Sequence, residues 1–223
     1  MTDAQISMRV TDAGNHIQVG NHIHISKETD RNLPGNFALT VLRDLCTIDE
    51  YECGQRLLSS LDQVTGTPKR INIAFCNGFI RGAQANAASN GEWNQDANAP
   101  GPLAQVTTVE YNPWMFGVPR VVVRDSKSPA YDMDYHNDPI ATSWGDPTQK
   151  SPDITLFHEL IHADDFLKGI LLQKEVKLGA AREQVKISEM RCVGLAEFDH
   201  AAIDTENTYR RARRVAQRTF YRD

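Results

Sequence analysis

Two spacings of apolar residues divide this chain. Residues 16–25, HIQVGNHIHI, alternate Ile17, Val19, Ile23 and Ile25 with polar neighbours and break at Gly20-Asn21, which predicts two short strands or a hairpin. Phe37, Leu39, Val41, Leu42, Leu45 and Ile48, then Leu57, Leu58 and Leu61, recur at helical spacing. Residues 36–63 therefore read as helix, with Gly54 marking a break between two. Thr65-Gly66-Thr67-Pro68 is a turn, and residues 70–75 form an alternating strand. Residues 82–105, rich in Ala, Asn and Gly, predict a surface loop. Residues 107–111 read as a strand closed by Asn112-Pro113, and the run Arg120-Val121-Val122-Val123-Arg124 as another. Residues 125–149, with His136 and Trp144, show no period. They are expected to form one wall of a cleft, with His136 an ordinary loop residue.

The stretch SPDITLFHELIHADDFLKGI, residues 151–170, has the clearest signal. Ser151-Pro152-Asp153 supplies a helix start, and Ile154, Leu156, Phe157, Leu160, Ile161, Phe166 and Leu167 surround the helix with apolar groups. A helix apolar on most sides is buried, and a buried helix does not carry His158, Glu159 and His162 without partners for them. His158 and His162, four residues apart, share one face. This is the H-E-x-x-H spacing that gives zinc two ligands, with Glu159 beside the first. The bland alternative is an amphipathic helix with two surface histidines.

Catalytic zinc takes three protein ligands and keeps one position open. Downstream candidates are Asp164, Asp165, Glu175, Glu183, Glu189, Glu197, Asp199, His200 and Glu206. Asp164 and Asp165 follow His162 too closely on one helix to swing to the metal, and are expected to cap, pair with arginines or orient a ligand. Glu189, opening the amphipathic stretch ISEMRCVGL, is the preferred third ligand. Residues 204–222 read as a helix capped at Thr205-Glu206, and their six arginines as a solvated or salt-bridging face. His22 and His24, two apart, would share one side of a strand, where solvent-facing histidines are the commoner outcome than a second metal site.

The order is strands and helices, a meander of strands, the histidine-bearing helix, then only helices. It predicts an α+β, zincin-like fold: a small twisted sheet packed on an active-site helix, followed by a helical C-terminal part. Length fits a single domain over 1–223, with 1–35 as peripheral strands, and there is no repeat or linker. A net charge of -5 gives no drive toward nucleic acid or anionic membrane. No apolar run has the length of a membrane span, and the N-terminus lacks the features of a cleaved signal. Cys46, Cys53, Cys76 and Cys192 form no C-x-x-C pair, which argues against a cysteine zinc site; Cys46 and Cys53 are expected to be buried on one helix face.

HELIHADDFLKG, SEMRCVGL and TENTYRRARRVAQRTFYR, in this order, resemble the core of the NleD-like effector metallopeptidases, injected effectors and toxin domains of bacteria. The resemblance covers about residues 105–222, with VEYNP before the motif; the family's Gly-Leu-Pro in the terminal box is Arg213-Arg214-Val215 here. It implies a zinc endopeptidase with His158, His162 and Glu189 as ligands and Glu159 as base, and with Tyr221 or Tyr209 approaching the metal to stabilise the oxyanion. It further implies secretion without a classical signal peptide and a protein substrate in the cytoplasm of a host or target cell. A secretion chaperone or toxin-delivery partner would follow from such a route. Substrate is expected to lie extended along Val121, Val122 and Val123. The rival readings are a zinc-stabilised binding domain, its site closed by His200 or Asp165, and a catalytically silent domain that only binds a partner.

Overall fold

The computed structural model of the chain describes residues 9–27, 36–63, 69–76, 83–87, 90–113, 151–177, 184–195 and 204–218. Strands β1 (Val10–Asp12), β2 (His16–Val19) and β3 (Ile23–Ser26) form an antiparallel meander. Gly20, at φ +60°, turns β2 into β3, and Asn21 beside it bonds both carboxylate oxygens of Asp62. β4 (Arg70–Phe75) adds parallel to β3, and β6 (Val106–Tyr111) parallel to β4. β5 (Ala83–Ala87) closes the six-stranded sheet antiparallel to β6, in the order β1-β2-β3-β4-β6-β5. The alternation predicted from sequence has its physical reason here. Val19, Ile23, Ile25, Ile71, Ile73, Val109 and Tyr111 all enter one core, and their polar neighbours occupy the other face.

Helices α1 (Phe37–Asp49) and α2 (Glu52–Asp62) complete that core with Phe37, Val41, Leu45, Ile48, Leu57, Leu58 and Leu61. The break between them is at Glu50-Tyr51, not Gly54. Gly54 sits in the first turn of α2 because a Cβ there would stand 1.9 Å from the Ile48 carbonyl oxygen. Leu39 is 57% exposed rather than part of the apolar stripe, and Cys46 is exposed while Cys53 is buried. The helix break rotates α2 relative to α1, so the two cysteines do not share a face.

Helix α3 (Pro152–Lys168) is buried on nearly every side, as its apolar girdle predicts. Pro152 opens it, and Gly169 at φ +69° closes it in the left-handed conformation favoured at helix C-termini. A side chain at Gly169 would strike the Gly101 carbonyl. Residues 90–104 wrap this end: Gly101 donates to Gly169, Ala104 to Phe166, and Leu171 to Gly91 through their backbones. β7 (Glu175–Lys177) and β8 (Gln184–Lys186) pair as a hairpin, where only helix was expected. α4 (Ile187–Val193) and α5 (Glu206–Ala212) follow. Thr205 caps α5 by accepting from the Thr208 N–H, but this helix ends at Ala212, and Arg214 adopts φ +58°. The architecture is α+β, with a mixed sheet and helices. The predicted strand at 120–124, the cleft wall at 125–149 and His136 lie outside the described residues.

Candidate metal centre

The helical rise brings His158 and His162 one above the other on α3, 7% and 5% exposed. Their Nε2 atoms are 3.1 Å apart. Glu189, on the first turn of α4, places Oε2 3.1 Å from Nε2 of His158 and 3.2 Å from Nε2 of His162. Three donor atoms thus form a nearly equilateral triangle. Nitrogen and oxygen ligands around one tetrahedral zinc stand roughly 3.4 Å from each other, given metal–ligand bonds of about 2.0–2.2 Å. The triangle has the size and donor chemistry of that face.

Its electrostatics favour a cation. Burial pushes the Glu189 carboxyl up, but His162 and His158 outweigh this and hold it well below the usual carboxylate range. Burial likewise pushes the His158 imidazole down, and Cys192, Glu189 and Glu206 more than reverse it, so a positive charge is strongly favoured at that ring. What stabilises a proton there also stabilises a metal ion.

Glu206, on α5, accepts a 2.8 Å hydrogen bond from Nδ1–H of His158. With Nδ1 so engaged, Nε2 is the nitrogen that faces Glu189 and His162. Glu206 is itself held by Nε of Arg210 at 2.5 Å and a guanidinium nitrogen of Arg218 at 3.2 Å. Asn207 locks the Arg218 backbone by two further bonds, 2.8 and 2.7 Å. Burial raises the Glu206 carboxyl, yet Arg218, His158 and Arg210 keep it well below the ordinary range. The arginines read from sequence as a solvated or salt-bridging face thus serve, at positions 210 and 218, to anchor one buried carboxylate. Its partner is 48 residues away along the chain, and no local pattern announces the pairing.

Glu159 is buried at 8% exposure, and burial raises its pKa against the pull of both histidines. The backbone of Ala85 in β5 also lies near enough to act on its carboxyl. β5 is an edge strand, and among the described residues no strand pairs with its outer side.

The remaining candidates separate clearly. Asp164 accepts from Ser60 Oγ at 2.9 Å and from Lys168 Nζ at 2.5 Å, turned toward α2. Asp165 is 5% exposed, and burial pushes its carboxyl up to about 6. Glu175 is exposed on β7. Tyr209 does not approach the centre: its hydroxyl donates to Asp153 at 2.6 Å and its ring stacks on Phe157 at 4.4 Å. Tyr221, Val121, Val122, Val123, Glu183, Glu197, Asp199 and His200 lie outside the described residues. In the N-terminal sheet, His22 Nδ1 donates to the Lys69 carbonyl, while His16 and His24 pack ring against ring at 4.6 Å.

Sequence reasoning set Cys192 aside, yet His158, His162 and Cys192 also offer ligand atoms within 4.8 Å of one another. The thiol donates to the His158 carbonyl oxygen at 3.2 Å, and burial pushes its pKa up to about 12. A metal-ligating thiol must lose its proton, so Glu189 is the better third donor by both distance and charge.

The family model Peptidase_M91, described as an effector protein, matches residues 26–221. The chain belongs to this family of effector peptidases. The match begins at residue 26, the last residue of β3, and so takes in α1, α2, β4 and β5, which the resemblance read from sequence left uncovered. Among solved structures, the chain is similar to a botulinum neurotoxin type G light chain, with a TM-score of 0.45 and 13% identity. The alignment covers 92% of this chain and 60% of that one, so the chain spans about three fifths of its length. A search of curated proteins finds no match.

Proposed function

We propose that this effector peptidase is a zinc-dependent endopeptidase in which His158, His162 and Glu189 hold the metal. The observation that carries the reading is the triangle of two imidazole nitrogens and one carboxylate oxygen, 3.1–3.2 Å on each side. A zinc ion there would supply Lewis acidity, acidifying water and polarising a peptide carbonyl. Glu159, on the same turn as His158, acts as general base and then delivers the proton to the leaving amine. Its burial raises its basicity toward that task. Glu206 keeps the proton of His158 on Nδ1 and fixes the ring.

The substrate is a protein of a host or target cell, reached after secretion without a classical signal peptide and with the help of a chaperone or delivery partner. An extended substrate segment would pair with the outer edge of β5, which borders Glu159. That gives β5 more support than the Val121–Val123 run proposed from sequence. Tyr221 is proposed to stabilise the oxyanion; in its favour, Arg218, three residues earlier, is tied to Glu206 beside His158.

The second reading, a zinc-stabilised binding domain, draws on Cys192. As a fourth ligand beside Glu189 the thiol would close the open position that catalysis needs. Zinc content separates the two. Glu189→Gln is expected to lose bound zinc and C192S to retain it; zinc loss in C192S as well would favour the closed site of the second reading.

A further inference from the structure

The two histidines of α3 are unequally provided for. Nδ1 of His158 has Glu206. Nδ1 of His162 is buried and has no hydrogen-bond partner. An imidazole that gives one nitrogen to a metal nearly always donates the other N–H to a carboxylate, carbonyl or water, which fixes tautomer and ring orientation. A buried imidazole N–H without an acceptor carries a desolvation penalty.

The complementary deficiency lies one turn along the same helix. Asp165 is 95% buried, and among the described residues its carboxyl takes no hydrogen bond, whereas its neighbour Asp164 has Ser60 and Lys168. Positions three apart on a helix are neighbours, with Cβ atoms roughly 5–6 Å from each other. His162 is the group that most opposes the rise burial imposes on the Asp165 carboxyl, ahead of Arg191 and Lys168. Asp165 lines a cavity with Ser60, Ile161, Asp164 and Lys168 that His162 does not line, so its carboxyl has to turn out of that cavity to meet Nδ1. A buried donor without an acceptor thus stands one helical turn from a carboxyl that no hydrogen bond among the described residues holds in place.

We propose that Asp165 is the positioning residue of His162: its carboxylate accepts the Nδ1–H of that ring when the centre is loaded, as Glu206 does for His158. The helix supplies one orienting carboxylate from its own next turn and takes the other from α5. This rests on His162 being a ligand. It assigns Asp165 a role different from closing the site as a fourth ligand, since it addresses the nitrogen remote from the metal.

The test measures zinc dissociation constants by competition with a chromophoric chelator, for wild type, D165N and D165A, beside the thermal midpoints of the zinc-free proteins. Losing the orienting group is expected to weaken zinc binding about 10–100-fold in D165A. D165N should weaken it less, because its amide oxygen still accepts from Nδ1–H. The zinc-free midpoints should hold steady or rise, since each change removes an unpaired buried charge. A residue that only supports the fold would instead lower the midpoint and zinc affinity together in both variants, which overturns the proposal. Equal zinc affinity in wild type and D165A overturns it alone, leaving the ligand assignment intact. A wild type that binds no zinc overturns the ligand assignment, and this inference with it.

Discussion

Glu159, Glu189 and Glu206 all lie within reach of the same two imidazoles, yet their acidities move in opposite directions. Glu189 touches both rings, and Glu206 touches one ring and two arginines, so both remain charged despite burial. Glu159 has the rings only as neighbours, and burial wins. The geometry therefore separates two carboxylates that stay anionic from one of raised pKa, the division that the proposed roles of Glu189, Glu206 and Glu159 require. A fourth carboxylate shows the cost of burial without such compensation. Asp44 accepts from the Tyr111 hydroxyl at 2.8 Å, but burial, aided by Asp153, pushes it up to about 6. The folded protein holds this proton to about pH 6, whereas the unfolded chain loses it near 3.8. The contribution of Asp44 to stability therefore falls as pH rises between those values and stays lost above them. D44N, which keeps the Tyr111 bond, is expected to stabilise the protein at pH 7 by roughly 3 kcal/mol and to change little at pH 4. Chemical denaturation at the two pH values checks this, and a loss of stability at pH 7 would contradict it.

At the scale of elements, the closest approach in the core is where α1 hands over to α2. Gly54 admits the Ile48 carbonyl where any Cβ would collide. Gly54→Ala is expected to destabilise the protein by about 2–3 kcal/mol, visible as a lower urea midpoint; an unchanged midpoint would show that the helices can part without loss. The same glycine illustrates what a sequence conceals. A glycine inside a helical pattern reads as a break, and only the neighbouring helix reveals it as a contact. β2, β3, β4 and β6 were legible because their burial alternates along the chain, and α3 because apolar residues surround it on nearly every side. β5, AQANA, was not: it has no β-branched residue, and it is a strand because β6 offers it an edge and α3 covers Ala83 and Ala85. The β7–β8 hairpin, three residues to a strand, is too short to show a period. In the centre itself, the spacing of His158, Glu159 and His162 is local to one helix and could be read. Glu189 could be nominated among several acids. Glu206, Arg218 and Cys192 depend on how α4 and α5 dock, which no local pattern encodes.

Across the whole molecule, α3 is the joint at which the parts meet, packing on β5 and β6, on α1 and α2, and on α4 and α5. Two ionic ties close the far ends. Arg56 of α2 grips Asp204 through two 2.7 Å bonds, and Arg213 reaches back to Asp153 at the start of α3 at 2.8 Å. The centre draws Glu159 and both histidines from α3, Glu189 from α4, Glu206 from α5 and its bordering strand from β5. It therefore draws on elements spread from residue 83 to residue 212. No helix among the described residues is long and apolar enough to cross a membrane.

The measurement that tests the central claim most directly is zinc content and proteolysis of wild type beside Glu159→Gln, prepared identically and assayed on a protein digest. The account predicts one zinc per chain in both, with cleavage by the variant reduced about 100- to 10,000-fold, the range general-base catalysis supplies. Cleavage undiminished in Glu159→Gln, with zinc retained, would contradict the assignment of Glu159 as the base and the mechanism built on it.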